Sequence, residues 1–441
     1  MIKDLFERSE KFPLNIIYFF IEMSFMLVGH FSILSFYLRS NKKIKYSVPY
    51  VNTVGDALEH IDYFRLKTIN KNNYKLLFID QFPTSDYIKF LFNKEKYTVY
   101  NEFVYRFFLK ILTIIFNDRR NIVLRYKIII QKLLAIYLSK INFYKKNKHF
   151  FFQIKEIKKF LNKNSKVFFN RFAESHIFFS KIESKLEKNE LVKKYGFFKI
   201  ENAYKYSKIK KNRLFKNLKL KNKKYVCLHI RNSEKNINNL RGSEDLKSYE
   251  KVVNFFSNKK ISIILTGNKN KKVGNFFKKF KNVIDYRNSK YQTIVNDLFL
   301  ANHAMLFITQ ISGPIMHPIF FGKPFLGLDL VTFEDIQLYN KGFYLPKKFY
   351  KKNNKKMKYT EIFKNSLIFK DSYFNKDKFI VQETNKEEKF KFVKFSFNKI
   401  LNNDYELNPN QNKYLQKKLN IYSNFITLQN INKIFFDNKN F

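Results

Sequence analysis

The chain has 441 residues, 45% of them hydrophobic and 19% aromatic, which suits one large domain or two ordinary ones and excludes a mini-protein that needs staples. Its single cysteine, Cys227, excludes an intramolecular disulfide and a multi-cysteine zinc site, and a reducing compartment is the simplest setting. Lys and Arg number 85 against 36 Asp and Glu, a formal charge of +49; this fits either an anionic partner, such as a membrane surface, or compositional drift that fills solvated faces with Lys and Asn.

Residues 12–38 form an apolar stretch in which Glu22 is the only formally charged residue. The stretch is long enough to span a bilayer, but Asn15, Glu22 and His30 are costly in hydrocarbon. A span, a helix in the membrane interface and a helix packed on the protein all remain open. Arg39, Lys42, Lys43 and Lys45 follow and would keep that side cytoplasmic. No small-residue cleavage site follows, so a removable signal peptide is not expected.

From Tyr46 an apolar run leads to Val54-Gly55-Asp56 and then a helical pattern. Residues 75–82 and 96–103 read as short strands, which suggests an α/β domain. Residues 104–148 are rich in Phe, Ile and Leu with interleaved Arg and Lys, as in a basic amphipathic helix at a membrane or a core-facing helix with a basic outer side. Residues 205–224 hold ten Lys or Arg and no acid, and read as a surface linker between domains.

Beyond the linker, strand and helix patterns alternate. Strands are expected at 225–230, 261–267, 282–286, 305–310 and finally 323–328; helices are expected at 246–256, 273–280, 294–304 and 312–321. This predicts a parallel, doubly wound sheet, with ligands at the carboxyl ends of its strands. Glycine and proline are scarce, 10 and 8 in all, yet six Gly and four Pro fall between 267 and 346. A turn-rich functional face is expected there.

The strand ends supply the candidate chemistry. His229 and Arg231 share one face by alternation, and an Arg there can bind phosphate oxygens in pairs. Gln310, Ser312 and Gly313 lead into a helix start whose amides suit an anion, with Pro314 in its first turn. Gly267 ends another strand, and Asp297 opens a helix either as a dipole partner or as a ligand contact. Asp56, near Glu59 and His60, could supply a general base or cap a helix. No P-loop, dinucleotide-binding glycine motif, H-E-x-x-H or G-x-S-x-G occurs.

Several segments together resemble a family of bacterial glycosyltransferase-like proteins from surface polysaccharide clusters, distantly similar to fucosyltransferases and heptosyltransferases. They are KYVCLHIRNS (224–233), LRGSEDLKSYEKVV (240–253), VIDYRNSKY (283–291), VNDLFLANHAMLFITQISGP (295–314), FFGKPFLGLDL (320–330) and FYLPKKFY (343–350). Weaker matches are VPYVNTVGDALEHIDYF (48–64), LLFIDQF (76–82) and KYTEIF (358–363), and coverage runs from about Ser47 to at least Glu388. The resemblance implies an α/β fold of two Rossmann-like domains of the GT-B type. Residues 1–45 would be a hydrophobic N-terminal helix, 46–204 the acceptor domain and 225–441 the nucleotide-sugar domain. It implies transfer of a sugar from a nucleotide sugar, a co-substrate, with no cofactor and no metal. Arg231 and His229 would hold the donor diphosphate and Arg241 a phosphate or the acceptor. Ser312 and Gly313 would line the donor pocket, and Asp56 would be the base; Gly267, Gln310 and Asp297, read from strand ends and a helix start, and Asn232 beside Arg231 are the further donor-binding candidates. The chain departs from the family pattern at Asn232, where an Asp is usual, and at Asp56, where a His is usual.

The expectation is therefore a glycosyltransferase with a glycan or lipid-linked acceptor, cytoplasmic and peripheral at the inner membrane, with an anionic membrane surface as partner. Two alternatives stay open: a basic nucleic-acid-binding protein, and a non-catalytic glycan-binding relative of the same fold. The first does not account for Gly and Pro gathering at expected strand ends, and no specific nucleic-acid partner is expected.

Overall fold

The computed structural model describes residues 12–39, 44–48, 54–80, 84–115, 182–220, 224–231, 245–310, 312–330, 341–357 and 379–405, with single positions between 123 and 134. The chain divides into two compact units, Met1–Ser175 and His176–Phe441.

In the first unit the order is α1 (Phe12–Arg39), β1 (Lys45–Ser47), α2 (Val54–Lys67), β2 (Tyr74–Phe78), α3 (Thr84–Leu91), β3 (Tyr97–Val99) and α4 (Phe103–Ile115). The strands form a parallel sheet in the order β1-β2-β3, with a helix between each pair. Phe25 and Ile33 of α1 join Leu77, Ile79, Tyr105, Leu112 and Tyr126 in one apolar core. Gly29 lets this helix approach closely, since a Cβ there would stand 2.6 Å from Leu133 Cδ1. Ser32 Oγ and Tyr100 OH, both buried, share a hydrogen bond of 2.5 Å. The possible membrane span is thereby corrected. Among the described residues no helix is long and apolar enough to cross a membrane, and one side of α1 is taken up by protein.

The second unit opens with α5 (Ile182–Tyr195) and α6 (Lys208–Asn217). The main sheet is built from β4 (Tyr225–His229), β5 (Ser262–Thr266), β6 (Val283–Ile284), β7 (Leu306–Gln310), β8 (Phe325–Leu330) and β9 (Gly342–Pro346). Between them lie α7 (Glu250–Asn258), α8 (Lys271–Phe277), α9 (Ile294–His303) and α10 (Met316–Phe320). A hairpin of β10 (Lys348–Lys351) and β11 (Phe379–Gln382) and a last helix, α11 (Lys386–Leu401), follow.

All six strands of the main sheet run parallel, in the order β6-β5-β4-β7-β8-β9. Apolar runs such as Ile263-Ile264-Leu265 are buried along their length, as a parallel sheet covered on both faces requires. Val226, Leu228 and Ile230 point toward Val252, Phe256 and Phe277 and toward Phe392 and Phe397 of α11. On the other face Tyr225 OH donates to the Leu300 carbonyl of α9 at 2.9 Å, and its ring meets Phe215 of α6. The chain leaves β4 toward β5 on one side and returns beside it as β7 on the other, which makes the β4–β7 seam the topological switch point.

Two organisational expectations differ from the structure. The basic stretch 205–224 is not all linker: Ser207 caps a helix there, and Leu214 is buried. Its ten cations conceal an apolar contact surface. The strand at 325–330 is not the last, since β9, β10 and β11 follow it.

Candidate functional site

The site is assembled at the carboxyl edge of the second unit's sheet. Strand register sets Thr266, His229, Thr309 and Gly327 in one row across four neighbouring strands. Immediately beyond that row come Gly267, Arg231, Gln310 and Ser312, all of which the sequence singled out.

His229 is buried, and its Nδ1 lies 3.2 Å from the Thr266 carbonyl. Burial, then the charge of Arg287, drive its pKa down to about 3; the Thr266 carbonyl opposes this, and His317 and Arg231 add to it. A neutral ring with that neighbour donates from Nδ1 and leaves Nε2 as an acceptor. The histidine expected to grip a diphosphate is thus better suited, as a neutral ring, to accept a hydrogen bond from a hydroxyl. Gly267 makes the arrangement possible. Its φ is +101°, and a Cβ there would stand 2.3 Å from His229 Nδ1.

The positive charge comes from a residue the sequence reading had not chosen. Arg287, 2% exposed, follows β6 and donates its backbone N–H to the Leu265 carbonyl at 3.0 Å. Nε and Nη2 donate to the Asn268 carbonyl at 2.8 and 2.6 Å. Nη1 is shielded from solvent and has no hydrogen-bond partner among the described residues. Burial lowers the guanidinium pKa to about 10 while Asp285 opposes, so it stays charged at neutral pH. The loop is held rigidly: Asn288 Oδ1 accepts from Asn270 N at 2.9 Å, and its Nδ2 donates to Asn270 O at 3.0 Å.

Thr266 Oγ1 and Ser312 Oγ are also buried with no hydrogen-bond partner among the described residues. Buried polar atoms nearly always find one. A guanidinium N–H and two hydroxyls left open along one sheet edge, with the buried charge of Arg287 beside them, form a place for the oxygens of an anion. The helix-start contribution is smaller than expected. Gly313–Ile315 is a short 3-10 turn, and α10 after it has only five residues. Ser312 would therefore act through its side chain more than through a helix dipole.

Gln310 has a supporting place. Its Oε1 accepts the Arg231 N–H at 2.8 Å, across the switch point, and its Nε2 lies 3.5 Å from Asp329 Oδ2. Asp329 is buried on β8 with φ +54° and accepts from Thr384 N and Oγ1 at 3.0 and 2.8 Å. Lys389 Nζ of α11, also buried, stands 3.1 Å from its other oxygen. Desolvation pushes the Asp329 pKa up, but Lys389, Lys347 and Thr384 together bring it below the ordinary value. Asp297 lies in the first turn of α9 with Oδ1 shielded and without a partner. Burial lifts its pKa to about 7 against hydrogen bonds from Tyr286 and Gln292.

Asp56 falls in the first turn of α2, which begins at Val54, and Glu59 and His60 of that helix are buried. The Asp56 side chain, Asn232 and Arg241 lie outside the described residues. Among the described residues no group of three or more His, Cys, Asp or Glu is placed to hold a metal ion.

No known family and no curated protein matches the chain. Among solved structures it is similar to a family 9 glycosyl transferase from Veillonella parvula, with 10% identity, 82% of this chain and 99% of that one covered, and a TM-score of 0.45. It is also similar to a UDP-GlcNAc 2-epimerase from Neisseria meningitidis bound to UDP-GlcNAc, with 12% identity, coverage of 88% and 95%, and a TM-score of 0.31. S. aureus MnaA with UDP aligns at 11% identity over 65% and 77% of the two chains, with a TM-score of 0.29.

Proposed function

We propose that this chain is a GT-B-type glycosyltransferase that takes a sugar from a nucleotide sugar and passes it to a glycan or lipid-linked acceptor. The observation that carries the reading is the buried Arg287, with an unpartnered Nη1, at the carboxyl edge that also holds the open hydroxyls of Thr266 and Ser312. In this reading Arg287 and Arg231 face the donor diphosphate, whose charge grows as the sugar leaves, and their preorganised N–H groups stabilise that charge. Neutral His229 accepts a hydroxyl of the donor through Nε2. Gln310 and Asp329 hold the Arg231 backbone in position. Asp56 of the first unit takes the acceptor proton. To Arg241 this reading gives a phosphate or acceptor contact, and to Asn232, Gly267, Asp297 and Gly313 the remaining donor contacts.

The test is a thermal-shift panel of UDP, GDP, ADP, CMP and TDP on the wild type and on Arg287→Gln. One nucleotide at about 100 times its dissociation constant adds roughly 2.7 kcal/mol of stability. Loss of the guanidinium weakens that nucleotide about 100-fold, within the range for truncating one side of a buried charge contact. If no nucleotide stabilises a folded wild type, the reading fails. If one binds but no sugar is transferred from its sugar conjugate, the non-catalytic relative takes its place.

A further inference from the structure

The first unit carries an exposed apolar surface that its own fold does not use. On α1 the buried residues Phe25, Ser32 and Ile33 face the core, while Leu27, Phe31, Leu34 and Leu38 face outward at spacings of four, three and four. Phe31 and Leu38 are 68% and 70% exposed. The neighbouring α4 repeats the pattern. Tyr105 and Leu112 are buried, and Phe103, Phe107 and Ile114 are exposed, with Phe103 and Phe107 stacked at 6.1 Å. The helices run antiparallel: Phe25 meets Phe108, and Arg39 pairs with Glu102. Single exposed apolar residues are ordinary, but regular stripes of them on two packed helices mark a contact surface.

We propose that the outer stripes of α1 and α4 are a docking face for an anionic lipid surface, on which the chain lies without crossing. Charge selects this occupant. Arg106 and Lys110 are exposed on the same stripe of α4 as Phe103 and Phe107, and α4 contains no acid. Glu102, just before it, is already paired with Arg39. Aromatic and aliphatic side chains enter the headgroup boundary, and the cationic ends of Arg106 and Lys110 reach the phosphates. A second copy would instead bring another chain of formal charge +49 against this one. The inference rests on the first unit alone and does not depend on the nucleotide site.

The experiment is co-sedimentation of the full chain with phosphatidylcholine vesicles, with and without phosphatidylglycerol. Wild type is compared with Phe31→Asp/Phe107→Asp and with Arg106→Glu/Lys110→Glu, each checked for an unchanged thermal melt. The wild type binds only the anionic vesicles, and each double variant binds them at least about tenfold more weakly. Binding by the Phe→Asp variant equal to wild type overturns the proposal, because overall charge then suffices. So does an absence of wild-type binding, and so does a wild-type dimer in sedimentation velocity that Phe31→Asp makes monomeric. The nucleotide response in the thermal-shift panel is unchanged in both variants, so failure of one reading leaves the other standing.

Discussion

At Gly267 two physical demands coincide. The backbone sits at φ +101°, a region L side chains rarely enter, and the space a Cβ would fill belongs to the His229 ring. Gly267→Ala therefore costs about 2–4 kcal/mol, combining backbone strain with displacement of a buried ring. The variant's urea midpoint measures that loss. Any nucleotide response falls with it, since the ring shares this strand edge with Thr266 and Arg287. Arg287 shows the opposite relation between sequence and site. In a chain with 85 Lys and Arg, a single Arg in a loop reads as one more solvated cation. Its burial follows from the clasp between the 268–270 and 285–288 loops, a contact between segments on two different strands. No local pattern encodes such a contact. Gly267 was legible because glycine is rare here and ended a strand; Thr266 and Arg287 were not, because their open atoms are defined only by what surrounds them.

At the scale of elements, α11 is tied to the sheet by an ion pair with no access to water. Lys389 and Asp329 are both fully buried, Lys389 also donates to the Thr384 carbonyl at 2.6 Å, and its ammonium stands 5.1 Å from the Tyr249 ring centroid. Removing one partner of such a pair leaves an uncompensated charge, at a cost of about 3–5 kcal/mol. Lys389→Met is expected to lose that much in chemical denaturation. Lys389→Met/Asp329→Asn recovers a large part of it, so the double-mutant cycle gives a coupling of at least about 1.5 kcal/mol. Independent effects that simply add would show that the pair is not coupled. Neither residue stood out in the sequence, since Lys389 sits among other charges in KEEKFKF and Asp329 lies near the end of an ordinary apolar strand. By contrast, β4, β5 and β7 were legible within a residue or so, because apolar runs bounded by glycine and polar turns give an unambiguous period. The helix inside the basic stretch was missed because its apolar contacts are few: Leu214 is its one buried residue.

For the whole molecule, stability against acid is where the buried titratable groups add up. His229 and His317 have pKa values brought down to about 3 and about 4, chiefly by burial. Between about 4 and their unfolded value of 6.5, the unfolded chain binds two protons that the folded one refuses. Stability from these groups therefore falls as pH falls through that window. Asp297 works the other way. Its pKa is raised to about 7, so between 3.8 and 7 the folded chain keeps a proton the unfolded chain releases, and stability falls as pH rises. Near pH 5 the three leave a net difference of one proton, a slope of roughly 1.4 kcal/mol per pH unit toward higher stability at higher pH. His229→Gln removes one histidine from that balance and brings the slope from these groups to about zero. Asp297→Asn removes the opposing proton and brings the slope to roughly 2.7 kcal/mol per pH unit. Urea midpoints at pH 4.5, 5.5 and 6.5 measure all three slopes under the same buffer. Because other carboxylates contribute equally to each protein, the differences between the curves carry the result. Parallel curves for wild type and His229→Gln would mean that the ring takes up a proton in the folded state, and Nε2 would then be a donor to the ligand rather than an acceptor.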